Sequence, residues 1–241
     1  MVSRKIKTGT VAFNFQTFKT RALTALLFVA VMGVGLLWNF WSFVVLFSVI
    51  HFGCWYEFVK LMKKIYAEKY LGYCLFGLLY ITIPVLMIID LYKAKTFNVY
   101  DTYFVIGKGL IPIVIIVSIW INDTMAYLVG SFIGKTPLTR ISPKKTWEGT
   151  VGGIVLSIAT IGISIYCITN FTGAAIHSMI IAALCSIFGT IGDLFESKLK
   201  RMADVKDSGS FMPGHGGFLD RFDSLLFAVP AVWIYVQLFL K

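Results

Sequence analysis

Apolar residues gather along this chain in long blocks instead of alternating with polar ones, and each block approaches the roughly 20 residues a helix needs to cross a bilayer. The blocks lie at about 22 to 37, 40 to 58, 71 to 89, 104 to 121, 150 to 169 and 176 to 192, with a seventh from about 218 to 239. Each predicts a membrane helix. Connections in the first half are short and basic. From Asn122 onward they lengthen, gain glycine and carry both signs of charge, with acidic residues at helix ends. The pattern divides the chain into N-terminal scaffold helices, 1 to 121, and a catalytic region, 122 to 241.

Composition strengthens this reading. Of the 241 residues, 58% are hydrophobic and only 14% charged, too few polar side chains to cover a water-soluble globule. The expected fold is an all-α polytopic membrane protein with seven to nine transmembrane helices, its polar active site facing the cytoplasm and built from the C-terminal half. Arg4, Lys5, Lys7, Lys19 and Arg21 before the first block give it the basic start of a secretory signal. Trp38-Asn-Phe-Trp41 then stands where a small-residue cleavage site would be, so the block reads as a first membrane helix.

A formal charge of +10 would suggest nucleic acid for a soluble protein, but here the cations lie between apolar blocks. With the N-terminus in the cytoplasm, segments 1–21, 59–70, 122–149 and 193–217 are cytoplasmic and hold most of the 22 lysines and arginines. The opposite loops hold only Lys93 and Lys95. This is the positive-inside pattern, which removes the case for a nucleic-acid partner; the chain's length and simplicity suggest a bacterial cytoplasmic membrane. Cys54, Cys74, Cys167 and Cys185 sit within or at the ends of apolar blocks without metal-like spacing and read as packing residues.

Little in the scaffold suggests chemistry. His51 and Glu57 flank Trp55-Tyr56 and read as an aromatic belt with a helix-end charge. Lys108 lies near enough to a helix start to snorkel, and Val11 to Phe18 alternates as a surface-lying arm does. The segment Asn122 to Gly134 begins with a carboxylate and spaces Gly130 and Gly134 for close helix packing. It fits a half-helix, a crossing of its own or a continuation of the fourth block. Gly130 to Thr136 resembles a phosphate loop but has three residues between its glycines where four are required.

The chemistry concentrates further on. Lys135 to Gly149 is a loop with four cations, hydroxyls and one acid. Asp193 and Glu196 stand at i and i+3, and Asp220 and Asp223 repeat that spacing at the next helix start. Ionisable residues near membrane depth signal function, and carboxylates from two helix ends are the hard oxygen ligands magnesium prefers. Lys198, Lys200, Arg201, Lys206 and Arg221 supply cations for phosphate oxygens. Pro213-Gly-His-Gly-Gly217 makes a tight turn into a helix, where free amides favour an anion.

From Ser197 to Asp223 the chain resembles the phosphatidate cytidylyltransferase family. The matching positions are Ser197, Leu199, Lys200, Arg201, Lys206, Asp207, Gly209, Pro213, His215, Gly216, Gly217, Asp220, Arg221 and Asp223, with Met212 a conservative departure. Asp123 to Tyr127, Gly130, Gly134-Lys135 and Ser142 to Gly149 extend the resemblance upstream. It implies transfer of CMP from CTP to phosphatidic acid, giving CDP-diacylglycerol and pyrophosphate. It implies Mg2+, with a second or a monovalent metal left open.

Asp193 and Asp220 are then the leading metal ligands, Asp123 and Asp223 further candidates, and Ser197 an additional oxygen. Lys144, Lys200, Arg201, Lys206 and Arg221 are expected to contact phosphate, with Lys145 a weaker candidate and Ser142 beside them in the substrate loop. Asp207 orients a lysine or the cytosine ribose. His215, with Gly216 and Gly217, meets pyrophosphate or fixes the glycine turn. Expected partners are CTP, phosphatidic acid and membrane lipids, with a homodimer left open. The alternatives are an archaeal ether-lipid cytidylyltransferase, a polyprenol kinase or, from another class, a transporter; no internal repeat supports the last.

Overall fold

The computed structural model describes residues 15–93, 97–99, 102–104, 109–211 and 216–240. Eight α-helices are described: α1 (Phe15–Leu37), α2 (Phe40–Tyr66), α3 (Tyr70–Cys74), α4 (Ile83–Tyr92), α5 (Leu110–Ile133), α6 (Trp147–Thr169), α7 (Thr172–Met202) and α8 (Leu219–Phe239). A short antiparallel hairpin, β1 (Phe97–Val99) with β2 (Thr102–Phe104), lies between α4 and α5. It is the one departure from the expected all-helical architecture among the described residues. The Asn39 side chain accepts from Ser42 N at 2.9 Å while Ser42 Oγ accepts from Asn39 N at 3.1 Å, a reciprocal cap that starts α2 two residues after α1 ends.

Among the described residues, five segments are long and apolar enough to cross a membrane: Phe40–Cys74, Leu110–Ile133, Trp147–Thr169, Thr172–Met202 and Leu219–Phe239. Ala22–Leu37 and Leu78–Tyr92 are apolar but shorter. Large apolar side chains such as Leu26, Phe52, Phe132 and Ile168 are exposed on the outside of the bundle, as in an integral membrane protein whose outer surface meets lipid.

The helix boundaries differ from the hydropathy blocks at several points: α2 runs on to Tyr66, and the fourth block, expected from about 104, is helical from Leu110, with Phe104 in β2. The third block is interrupted, with α3 and α4 separated by a π-helical turn at Leu78–Thr82. Pro84 follows that turn at the start of α4 and has no N–H to continue the regular ladder. The segment from Asn122 continues α5 to Ile133 as one helix, which resolves the three options in favour of continuation. Likewise α7 runs on through Asp193 to Met202, beyond the apolar limit near 192. Hydropathy falls at these points, but the backbone ladder does not stop. Lys200 and Arg201 in the last turn of α7 suit its negative dipole end.

Helix α8 occupies the centre, packing against α2, α4, α5 and α7. Its Leu219, Leu226, Ala228, Val229 and Val232 are fully or almost fully buried. α5, α6 and α7 pack in succession beside it. All four cysteines are free thiols, with Cys54 and Cys185 buried in the core.

Candidate active site

The site begins where α5 and α6 touch backbone to backbone. A Cβ on Gly149 would lie 2.6 Å from the carbonyl oxygen of Ala126 and 2.9 Å from Gly130 Cα, and one on Gly153 would lie 2.9 Å from the carbonyl oxygen of Asn122. Only glycine permits this approach. Thr146 caps α6 by accepting from Gly149 N at 3.1 Å. The preceding loop folds back on itself: Trp147 N donates to Thr136 O, and Leu138 N to Lys145 O, at 2.9 and 2.7 Å. Glu148 closes the loop by accepting from Lys135 N, Thr136 N and Thr136 Oγ1. Lys144 and Lys145 are thereby carried to the mouth of a cavity of about 530 Å³ enclosed by α5, this loop, α6 and α7.

That cavity collects Asp123, Ser142, Lys144, Lys145 and Asp193, which the sequence singled out, with Asn122, Thr150 and Thr190, which it did not. Lys145 forms an ion pair with Asp193. Ser197 Oγ lies 3.4 Å from Asp193 Oδ1, and Asn122 Nδ2 the same distance from Asp123 Oδ1. Asn122 Oδ1 is buried without a hydrogen-bond partner. Behind the cavity the buried Asp223 interacts electrostatically with Asp193 and Asp123, and its Oδ1 accepts from Ser224 N at 2.6 Å.

Among the described residues no three His, Cys, Asp or Glu side chains converge closely enough to form a metal cage by themselves. Magnesium commonly takes only one or two protein carboxylates and completes its octahedron with phosphates and water. Asp123 and Asp193 on one cavity wall, with the unpaired Asn122 oxygen beside them, fit that donor set.

A second polar cluster joins α7 to the N-terminus of α8. Asp220 accepts from Lys200 Nζ at 2.6 Å, from Ser208 N at 2.9 Å and from Gly217 N at 2.8 Å. Lys200 also pairs with Glu196, which is completely buried. Gly216 has φ of +88°, and a Cβ there would come within 2.7 Å of Asp220 Oδ2. Asp193 and Asp220, expected around one ion, thus engage different lysines, Lys145 and Lys200.

Arg201, Lys206, Asp207 and Arg221 are exposed around the α7–α8 connection and do not line the cavity. Arg201 Nη1 donates to Val205 O at 3.3 Å. His215, Pro213 and Lys108 lie outside the described residues.

Two acids carry more than their sequence reading assigned. Glu57 is not a surface helix-end charge: it is 3% exposed and receives hydrogen bonds from Ser208 Oγ, Phe218 N and Leu219 N. The signal was its register, since Ile50, Cys54, Glu57 and Leu61 share one face of α2 and all are buried. Glu148 organises the basic loop. Thr190 stands one turn before Asp193 on α7, a position that spacing alone reveals once Asp193 is placed.

Residues 69–239 match the sequence model of the cytidylyltransferase family. The chain is 47% identical over 124 residues to the phosphatidate cytidylyltransferase of Bacillus subtilis (strain 168), which covers 51% of this chain and 46% of that protein. It is 48% identical over 122 residues to phosphatidate cytidylyltransferase 4, chloroplastic, of Arabidopsis thaliana, covering 50% and 30% respectively. Against the phosphatidate cytidylyltransferase of Aquifex aeolicus (strain VF5) the identity is 35% over 152 residues, covering 63% and 52%. These matches span about half or less of the relatives' own lengths.

Proposed function

The chain belongs to the cytidylyltransferase family, and we propose that it transfers CMP from CTP to phosphatidic acid, forming CDP-diacylglycerol and releasing pyrophosphate. The observation that carries this reading is the gathering of Asp123, Asp193, Ser142, Lys144 and Lys145 around one cavity between apolar helices, all within the family-matched region. An oxygen of the lipid phosphate bonds to the α-phosphorus of CTP as the bond to the β-phosphate oxygen breaks. With a second pKa near roughly 6, that phosphate is mostly a dianion at neutral pH and needs no strong base. The protein's tasks are to neutralise two polyanions and to hold them in line.

Lys144 and Lys145 serve the first task at the cavity, and the exposed Arg201, Lys206 and Arg221 form an outer basic rim that draws in the triphosphate. Asp207 orients the rim lysine or the ribose. Asp193 and Asp123 are the carboxylates proposed to hold magnesium, with Asp223 and Asp220, which lie outside the cavity lining, as further candidates. Bound there, the ion supplies neutralisation of phosphate charge. The proposed orientation places the site on the cytoplasmic face of a bacterial inner membrane, with α1 and the Leu78–Tyr92 segment completing seven crossings.

Purified protein in detergent, given CTP, phosphatidic acid and magnesium, is expected to release pyrophosphate and one equivalent of CDP-diacylglycerol by mass spectrometry. A phosphorylated lipid with CDP release would instead identify a kinase. No lipid product from CTP would overturn the reading.

A further inference from the structure

Glu57 lies on α2, ahead of the family-matched residues 69–239, yet its carboxylate is buried at the entrance to α8. Oε1 accepts from Phe218 N at 3.0 Å and Oε2 from Leu219 N at 2.9 Å, so both oxygens hold amides that the α8 ladder leaves unpaired. Oε2 also accepts from Ser208 Oγ at 2.7 Å. The surroundings are shaped for this carboxylate. A Cβ on Gly209 or Gly217 would collide with it. One turn earlier on α2, a Cβ on Gly53 would lie 2.5 Å from the Phe218 ring, so α8 can begin against α2 only because residue 53 is glycine.

Glu57 and Asp220 meet at Ser208, whose hydroxyl lies within hydrogen-bond distance of both carboxylates. Ser208 N and Gly217 N both donate to Asp220 Oδ2, and Ser208 Oγ lies 2.9 Å from the same oxygen. The single hydroxyl proton of Ser208 serves one carboxylate at a time, and the shorter distance is to Glu57. Asp220 follows Leu219 directly in the first turn of α8, so fixing the Phe218 and Leu219 amides also fixes where the Asp220 side chain leaves the helix.

We propose that Glu57 is a positioning residue for Asp220: from the N-terminal helices it clamps Ser208 and the first amides of α8, and so aligns Asp220 with Lys200 for CMP transfer. The turnover consequence rests on the proposed function; the clamp itself rests on hydrogen bonds alone.

The test compares wild type with Glu57→Gln, which keeps the size but replaces one acceptor oxygen with a donor facing an N–H or O–H. Hydrogen–deuterium exchange of peptides spanning 205–223 is expected to accelerate in the variant while peptides from α5 and α6 stay unchanged. With CTP and phosphatidic acid, kcat is expected to fall about 10²-fold, the scale of an ångström of misplacement, with both KM values held within about twofold.

Ser208→Ala, which leaves the α8 amides capped, should lose about tenfold in kcat, intermediate between wild type and the full misplacement, and Ser208→Thr should restore it. It also serves if Glu57→Gln does not fold. Unchanged exchange at 205–223, full kcat in Glu57→Gln or full kcat in Ser208→Ala would each overturn the proposal. So would a loss of activity that only tracks the fraction of folded protein. Were wild type itself to turn over no CTP, the functional reading would fall and the exchange comparison would still decide the clamp.

Discussion

Replacing Gly149 by alanine tests whether the α5–α6 contact builds the cavity. The added Cβ would stand 2.6 Å from Ala126 O, 2.9 Å from Gly130 Cα and 2.9 Å from Thr146 Oγ1. Two of these are backbone atoms that no rotamer change can move. Restoring a carbon–carbon separation of about 3.5 Å against Gly130 requires the helices to part by roughly 0.6 Å. Overpacking of this kind costs about 1–3 kcal/mol. The same displacement shifts Thr146 and the adjoining Lys145 relative to Asp123 on α5, across the cavity. If a misplacement of about 1 Å costs about 10²-fold in rate, this shift costs roughly tenfold. Gly33→Ala is the internal control, since nothing lies within 4 Å of a Cβ there. The assay is thermal unfolding in detergent alongside CMP transfer. Gly149→Ala is expected to lower the unfolding temperature and kcat together, with Gly33→Ala at wild-type values. Wild-type behaviour of Gly149→Ala, or equal damage from Gly33→Ala, would refute the packing argument.

Other substitutions probe the charges. Lys145→Met should reduce kcat/KM by about 10²–10³-fold, as removal of one preorganised donor does, with stability little changed because the pair is partly exposed; an active variant would remove Lys145 from the site. Lys200→Met should instead destabilise by about 3–5 kcal/mol, read as a lower midpoint in chemical denaturation, because it strands buried Glu196 beside Asp220. Asp220→Asn should abolish pyrophosphate release while the protein stays folded in size-exclusion chromatography. Magnesium without substrate should raise the unfolding temperature of wild type, by about 2.7 kcal/mol in stability at a hundredfold excess over its Kd, and Asp193→Asn should lose most of that increment; no increment in wild type would count against a resident ion.

The course of the fold was legible because lipid-facing helices must be continuously apolar, and each of the seven blocks contains a helical segment among the described residues, the fourth from Leu110 on. Their ends were not legible from hydropathy. Asp123 and Asp193 lie inside α5 and α7, with the backbone ladder running past the point where the side chains turn polar. The third segment broke at a π turn before Pro84, a local hydrogen-bond effect that an averaged apolar score does not register. In the site, Asp123, Ser142, Lys144, Lys145 and Asp193 line one cavity. Which lysine meets which carboxylate was not legible: Lys145 reaches Asp193 through the fold of the loop before α6, and the pairing of Lys200 with Asp220 depends on the crossing of α7 and α8. That crossing is fixed by Gly189 and Gly192 lying against Ser224 and Asp223. Glu57 was misread because an isolated glutamate after Trp55-Tyr56 has the composition of an interface residue, and only its register on the buried face of α2 distinguishes it.

The charges gathered at the junction of α5, α7 and α8 bear on how a polyanion can enter. Asp123, Asp193, Glu196, Asp220 and Asp223 meet there, while the lysines that pair with them are Lys145 and Lys200. Taken as ionised, these carboxylates outnumber the lysines that pair with them. A triphosphate approaching such a surplus in a low-dielectric bundle would be repelled, because like charges within a few ångströms are costly where water cannot screen them. Lys144 and the rim cations attract it from the cavity mouth but leave that inner surplus unpaired. A divalent cation reverses the balance on the carboxylate wall, and it suits oxygen donors such as the unpartnered Asn122 Oδ1. On the proposed function, these acids would favour nucleotide binding only with a cation in place. Glu57 stands outside that cluster, its two oxygens accepting from Ser208 Oγ and from the Phe218 and Leu219 amides at the start of α8.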